Sequence, residues 1–390
     1  MFLDWLSIYQ DHDHQLPLVS ARHFIAVDTE TGEDLGIKQD TIQHAGSYST
    51  SINIRVSGNR VTVTGNPSRV NRMENLFGYT TVDQCVEVYN RILANYGLPP
   101  FTKCTKVIHV AGEGSKIKTI TDGAVITELH ITSNITTGSS TEYRYEMNLQ
   151  HPVVTSHADT YIKAISTLPY RNSIPRLHTN GKTCDWLTKR GKGSTLIYPS
   201  VYNKAFELEL HALPKIKRSH GVESDEYKYL QSVIDYCNQH GVVRFEQKLK
   251  SAFLRRNNMQ FYGLSNFKAL RAVHDEFINL HKKLKVESMT LESITQQLLN
   301  SGICDSIRSA NVTTMYAIQW MHGHQFDFAK SQVKTHRARL RKIGIDIAMP
   351  CDVTKFSLVT VKEAKQITVG QLVAPTWYRK PAAVHLKIAA

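Results

Sequence analysis

Apolar and polar residues alternate one by one through much of the first 65 positions, the period of a half-buried β-strand. The clearest case is SINIRVSGNRVTVTGNP (Ser51–Pro67), two alternating runs around Ser57-Gly58-Asn59, which predicts a hairpin. After Pro67 the spacing changes to three and four residues. VDQCVEVYNRILANYG (Val82–Gly97) predicts an amphipathic helix stopped by its final glycine. KVIHVAGEGSKIKTI is only weakly patterned, and AVITELHITSN (Ala124–Asn134) returns to strand alternation. A second helix is predicted over His157–Ser166, and residues 171–193, rich in Gly, Lys, Thr and Asn, read as a mobile basic loop.

Two strand patterns loaded with polar residues follow, STLIYPSVYNKAFELE (Ser194–Glu209) and GVVRFEQKLK (Gly241–Lys250), with a helix near Glu223–His240 between them. From about residue 263 to Ile347 the pattern is almost entirely helical. This order predicts an α+β fold: an antiparallel-sheet catalytic half over residues 1–260 and a mainly helical C-terminal half over 261–390.

The chain is basic, with 47 Lys plus Arg against 34 Asp plus Glu and a net charge of +13, which points to a polyanionic partner, DNA or RNA. Six scattered cysteines form no CxxC pair and read as free thiols of a reducing cytoplasm rather than a zinc ribbon. The N-terminus lacks a basic lead and carries Asp4 within its apolar stretch, unlike a signal peptide. No window approaches 18 uncharged apolar residues, so no membrane partner is expected. With no Gly-rich lysine loop, an ATPase reading has no support.

Three strand motifs carry candidate chemistry. AVITELHITSN places Glu128, His130 and Thr132 on one face, where carboxylate and imidazole are sound ligands for a divalent cation; the plain alternative is an exposed polar face. GVVRFEQKLK places Arg244, Glu246, Lys248 and Lys250 together, a metal ligand flanked by phosphate-binding cations or else a salt-bridge ladder. STLIYPSVYNKAFELE offers Tyr198 and Tyr202 on one strand face, with Lys204 to neutralise a phosphate. A phenol can attack a phosphodiester once a base or metal eases its ionisation, although most of 17 tyrosines must simply pack. Further on, KTHRARLRK concentrates Lys334, His336, Arg337, Arg339, Arg341 and Lys342, a cationic helix face suited to phosphates or a merely solvated one. The pairs His12/His14 and His322/His324 lack the large apolar residue between them that marks HUH endonucleases.

At these residues the chain resembles a known family. NPSRVNRMENLFGYTTV, VITELHITSN, YNKAFELE, VVRFEQKLK and the tail APTWYRKP follow, in order and spacing, motifs of the filamentous bacteriophage replication initiation proteins. This is the gene II protein family, and the similarity is greatest to the RstA-type replication proteins of vibrio phages. Relatives often carry Arg-x-Asp where this chain has Glu128 and His130. The resemblance implies a rolling-circle initiator acting in the cytoplasm of the bacterial host. Such a protein nicks one strand of the double-stranded phage origin through tyrosine, then rejoins the displaced single strand, working with host helicase and polymerase. It implies Mg2+ or Mn2+ as cofactor. On this reading Tyr202, with Tyr198 in reserve, is the nucleophile; Glu246 and Glu128, with His130 and Glu207, serve the metal; Arg244, Lys204 and Lys248 hold the phosphate; Lys250 and the basic helix grip DNA. The rival is a non-catalytic DNA-binding replication or regulatory protein, which would shift origin DNA without cutting it; an RNA-binding protein is a third possibility.

Overall fold

The computed structural model describes the chain except residues 18, 20–22, 40, 45–51, 112–116, 139–140, 145–152, 284–290, 322–323, 350–366, 368 and 383–390. The N-terminal third gives β1 (Phe2–Asp11), β2 (His23–Val27), β3 (Asp34–Gln39), β4 (Ile42–His44), β5 (Ile52–Ser57), β6 (Arg60–Gly65) and α1 (Val82–Ala94). Next come β7 (Val107–Ala111), β8 (Ile117–Thr121), β9 (Val125–Thr136), β10 (Thr141–Arg144), β11 (Val153–Ser156) and α2 (His157–Ile165). The middle of the chain forms β12 (Ile174–Leu177), β13 (Thr183–Leu187), β14 (Ile197–Asn203), α3 (Lys204–Glu207), α4 (Leu213–His220), α5 (Asp225–His240) and β15 (Val242–Lys250). The remainder is α6 (Ser251–Arg256), α7 (Lys268–Ile278), α8 (Leu291–Asn300), α9 (Ile307–Met321), α10 (Ser331–Lys342) and the short β16 (Gly370–Gln371).

One antiparallel sheet dominates, in the order β12-β13-β14-β15-β9-β1-β6-β5-β4, with β16 added to β9 beyond the start of β1. The predicted α+β class, sheet first and helices after, is the class observed. Period-2 patterning gives the sheet two unlike faces. On one, Leu6, Ile126, Leu129, Ile131, Val201, Val243, Phe245 and Leu249 are buried beneath α1 and α2. Each such aliphatic side chain contributes about 1.5–3 kcal/mol through burial. The hairpin expected at Ser57–Asn59 turns through Gly58-Asn59, with Gly58 at φ 62°. Helix α1 starts where Thr81 and Gln84 form a reciprocal capping box.

On the other face, α3 to α5 and the segment from Asn66 to Tyr79 close over the ends of β14 and β15, around Leu76, Ala205, Val233, Ile234 and Val242. Helices α8 to α10 build a core of their own from Ile294, Leu298, Ala317, Trp320, Val333 and Leu340. Packing does not break at residue 260, because Tyr262 and Leu270 join the core under β1, and Phe277 and Leu280 join the core under β14.

Two expectations are corrected. Residues 171–193 are not a loop throughout: they contain the β12–β13 hairpin at the sheet edge, fixed by the fully buried Cys184 and Trp186. The strand expected over Ser194–Glu209 ends at Asn203, whose side chain accepts a hydrogen bond from the Phe206 amide and caps α3. Lys204 and Glu207 therefore lie on a helix.

Gly241 ends α5 in the left-handed region (φ 56°, ψ 55°), and a Cβ there would collide with Thr137 Oγ1 and the Gly138 carbonyl. Gly241→Ala is expected to destabilise the protein by about 1–3 kcal/mol, seen as a lower urea midpoint at unchanged slope; an unchanged midpoint would refute this account of the cap.

Candidate active site

The polar face of β14, β15, β9 and β1 brings most of the sequence candidates together in rows. Tyr202 lies opposite Arg244 and Tyr198 opposite Lys248; Lys248 is opposite His130, Lys250 opposite Glu128, and His130 opposite Trp5. At the centre, the Tyr202 hydroxyl donates to Glu246 Oε2 at 3.1 Å. The His130 ring sits between two carboxylates, with Nδ1 3.2 Å from Glu246 Oε1 and Nε2 2.8 Å from Glu128 Oε1. Trp5 stacks on that ring at 5.7 Å. Lys250 Nζ reaches Glu128 at 2.5 Å and Lys248 Nζ reaches Glu246 at 3.8 Å, both lysines being partly exposed.

These contacts set the charge states. Burial works against an imidazolium at His130, but bonds to Glu128 and Glu246 raise its pKa above the ordinary value. His130 and then Lys250 hold Glu128 at about 2. Burial opposes ionisation of Glu246, yet His130 and the charges of Lys248 and Arg244 keep it well below the usual carboxylate range. The Tyr202 phenol is pushed far upward by burial and by Glu246, with Arg244 pulling the other way. Tyr202 at rest is thus a neutral phenol donating to a carboxylate. Tyr198 is a second phenol, raised by burial and by the nearby Asp185 carboxylate, with Lys248 Nζ 5.5 Å from its ring centre.

Arg244 and Lys204 depart from expectation. Both are fully buried. Arg244 donates to Asn134 Oδ1 (2.9 Å) and to the carbonyls of Asn75 (2.6 Å) and Leu76 (3.3 Å), and lies 3.7 Å from Asp4. Lys204 Nζ is held by Asn75 Oδ1 (2.9 Å) and Glu207 Oε2 (2.5 Å). Lys204 Nζ and the Nε and Nη2 of Arg244 are engaged by protein acceptors in a closed space, while Arg244 Nη1 has no hydrogen-bond partner among the described residues and lies 3.7 Å from Asp4. Enclosed in this way, both cations support the site rather than grip a phosphate. Glu207 is committed to Lys204 and stands apart from the Glu128–His130–Glu246 group. Sequence reasoning missed Asp4, Asn75, Asp185 and Trp5. Only Asp4 carried a signal, a carboxylate inside an apolar strand; it accepts from Asn66 and Asn75 at 2.7 and 2.5 Å.

For a divalent cation, the donor types of Glu128, His130 and Glu246 are suitable, but their arrangement is not. The imidazole occupies the space between the carboxylates with both nitrogens engaged, and among the described residues no three His, Cys, Asp or Glu side chains converge on one ion.

The C-terminal model of the gene II replication-associated protein family matches residues 298–384. The replication-associated gene II protein of Escherichia phage If1 is 51% identical over 339 residues, spanning 87% of this chain and 99% of that protein. The chain belongs to the gene II family of filamentous phage replication proteins. No solved structure matches it. The C-terminal span matched by the family model contains α9, α10 and β16.

On α10 the basic residues do not form one face. Arg337 is bound to Asp346 through Nε (2.6 Å) and Nη2 (3.0 Å), and Arg339 turns toward α9 to meet Ser309. His336 is buried on Thr313 and stacked on Tyr316. Lys334, Arg341 and Lys342 are exposed. His322 lies outside the described residues, and His12 and His14 are in the turn after β1. No helix among the described residues is long and apolar enough to cross a membrane.

Raising the folded-state pKa of His130 adds stability that is complete below its ordinary value of 6.5 and fades as pH climbs through the raised value. The lowered carboxylates act oppositely: their contribution is present above 4.5 and is lost as pH falls toward about 2. Urea unfolding in metal-free buffer should therefore show an alkaline decline from pH 6 to 9 that His130→Asn abolishes. An equal decline in that variant would place the titrating group elsewhere.

Proposed function

We propose that this chain initiates rolling-circle replication of a filamentous phage genome in the cytoplasm of its bacterial host. It nicks one strand of the double-stranded origin through Tyr202 and later rejoins the displaced strand, alongside host helicase and polymerase. The observation that carries this reading is the Tyr202 hydroxyl donating to Glu246 beside Lys248 and Lys250 on a polar sheet face.

The phenolic oxygen of Tyr202 attacks the scissile phosphorus; the O–P bond forms as the P–O3′ bond breaks, and the phenolic proton passes to Glu246. The leaving O3′ takes a proton from solvent and becomes the primer hydroxyl. In joining, a 3′-hydroxyl attacks the phosphotyrosine, its proton goes to solvent, and the released phenolate recovers its proton from Glu246. The cost of ionising a raised phenol is offset by buried Arg244 and, as phosphate enters, by Lys248 and Lys250. No step runs through a metal. The Mg2+ or Mn2+ expectation requires that excess EDTA stop nicking while origin binding persists.

Conversion of supercoiled origin plasmid to open circles tests the chemistry. Tyr202→Phe should lower nicking at least about 10³-fold with origin binding retained, and Glu246→Gln about 10²-fold. Normal nicking by Tyr202→Phe would remove Tyr202 from the role and leave Tyr198 as the phenol to test.

DNA affinity should draw on the exposed cations of α10. Neutralising Lys334, Arg341 and Lys342 together should reduce the salt slope of duplex binding by up to about 3, near 0.9 for each lost phosphate contact. A slope that does not change would return these residues to an ordinary solvated surface.

A further inference from the structure

Away from the Tyr202 site, a cavity of about 520 Å3 opens between α1, the segment after β6, α5 and the C-terminal tail. Arg72, Arg91, Arg379 and Lys380 are among the residues lining it, Arg72 being paired with Glu74 (3.0 Å) and Arg91 with Glu87 (3.1 Å). The volume suits a ligand of nucleotide scale. An aromatic group borders it: Tyr229 lines the cavity with the Arg379 guanidinium 4.4 Å from its ring centre. Trp377, 45% exposed, meets Tyr229 and Tyr236 nearly edge-on at 6.2 and 6.0 Å. Two tyrosines thus brace an indole whose surface stays open to solvent. Burying it against them would be the ordinary use of such a ring.

Cations beside braced, exposed aromatic rings are the chemistry that holds single-stranded nucleic acid: rings stack on bases while the cations follow the phosphates. We propose that Trp377, Arg379, Lys380 and the adjoining cavity form a site for single-stranded DNA, separate from the Tyr202 face. The proposal deepens the reading of the chain as a DNA-processing replication protein, the displaced strand being the occupant. The site is coupled to the chemistry through one segment. Tyr378, between Trp377 and Arg379, bonds Glu74 Oε2 (3.0 Å), the Phe77 amide (2.9 Å) and Arg72 (2.5 Å). The intervening Asn75 and Leu76 carbonyls hold Arg244. A strand seated on the tail therefore loads the segment that keeps Arg244 beside Tyr202.

The test uses the full chain and a fluorescently labelled oligo-dT lacking any nick site, with anisotropy as the readout. Trp377→Ala should weaken binding about 5- to 150-fold, while Trp377→Phe keeps most of the affinity because a ring remains to stack. Arg379→Gln with Lys380→Gln should lower the salt slope by up to about 1.4, near 0.7 per phosphate contact on single strands. Duplex of the same length should bind the Trp377→Ala variant as it binds the parent. Tyr202→Phe should bind oligo-dT normally, so failure of the nicking reading leaves this result interpretable. Unchanged oligo-dT binding by Trp377→Ala, equal loss in Trp377→Phe, or equal loss on duplex would each overturn the proposal.

Discussion

A fully buried guanidinium organises this molecule. Arg244 cannot be deprotonated to escape the low dielectric, so its surroundings must supply acceptors, and they come from three places in the chain: Asp4 on β1, Asn134 on β9, and the carbonyls of Asn75 and Leu76. Satisfying one cation thereby fixes β1 against β15 and draws the Asn66–Tyr79 segment down over the sheet. Losing any acceptor would strand charge in the interior, where an unpaired ion costs several kcal/mol. Lys204, equally buried, repeats the arrangement and shares Asn75. Beside this closed part, Tyr202, Lys248 and Lys250 keep partial exposure, while Glu246 and His130 are buried, each 8% exposed.

The polar face of β15 and β9 has a built-in charge alternation. Moving across it, Glu128, His130, Glu246 and Lys248 alternate in sign, each within 4 Å of the next. Alternation lets carboxylates stay ionised in a partly buried setting, which keeps Glu246 an acceptor for the Tyr202 proton. It also means that an arriving phosphate competes with Glu128 and Glu246 for the same two lysines. Any anion binding on such a face would be an exchange of anionic partners.

Much of this was legible in the sequence, and the misses have physical causes. The period-2 runs gave β5, β6, β9 and β15 nearly to their ends, because one side of each strand is buried and the other is not. Their shared polar face followed from the same parity. The break at Asn203 was hidden because AFELE alternates like a strand; only tertiary packing of Ala205 and Leu208 decides for helix. The composition of residues 171–193 concealed two inward positions, Cys184 and Trp186, which suffice to pin a hairpin. Burial of Arg244 and Lys204 could not be read at all, since a basic residue on a strand face gives no sign of what will cover it. The acceptors lie far away in sequence.

The tail has a consequence for how the protein comes into being. β16 fills the place beside β9 that β1 leaves vacant, and Tyr378 locks the segment that seats Arg244. β9 and β15 emerge from the ribosome long before these last pieces do. Until they arrive, the nascent chain carries its tyrosines and carboxylates on a sheet with an unfilled slot and an unlatched cover. Completion of the large sheet thus waits on translation of the tail. The order of synthesis itself delays the seating of Arg244 until residues 370–378 have been made.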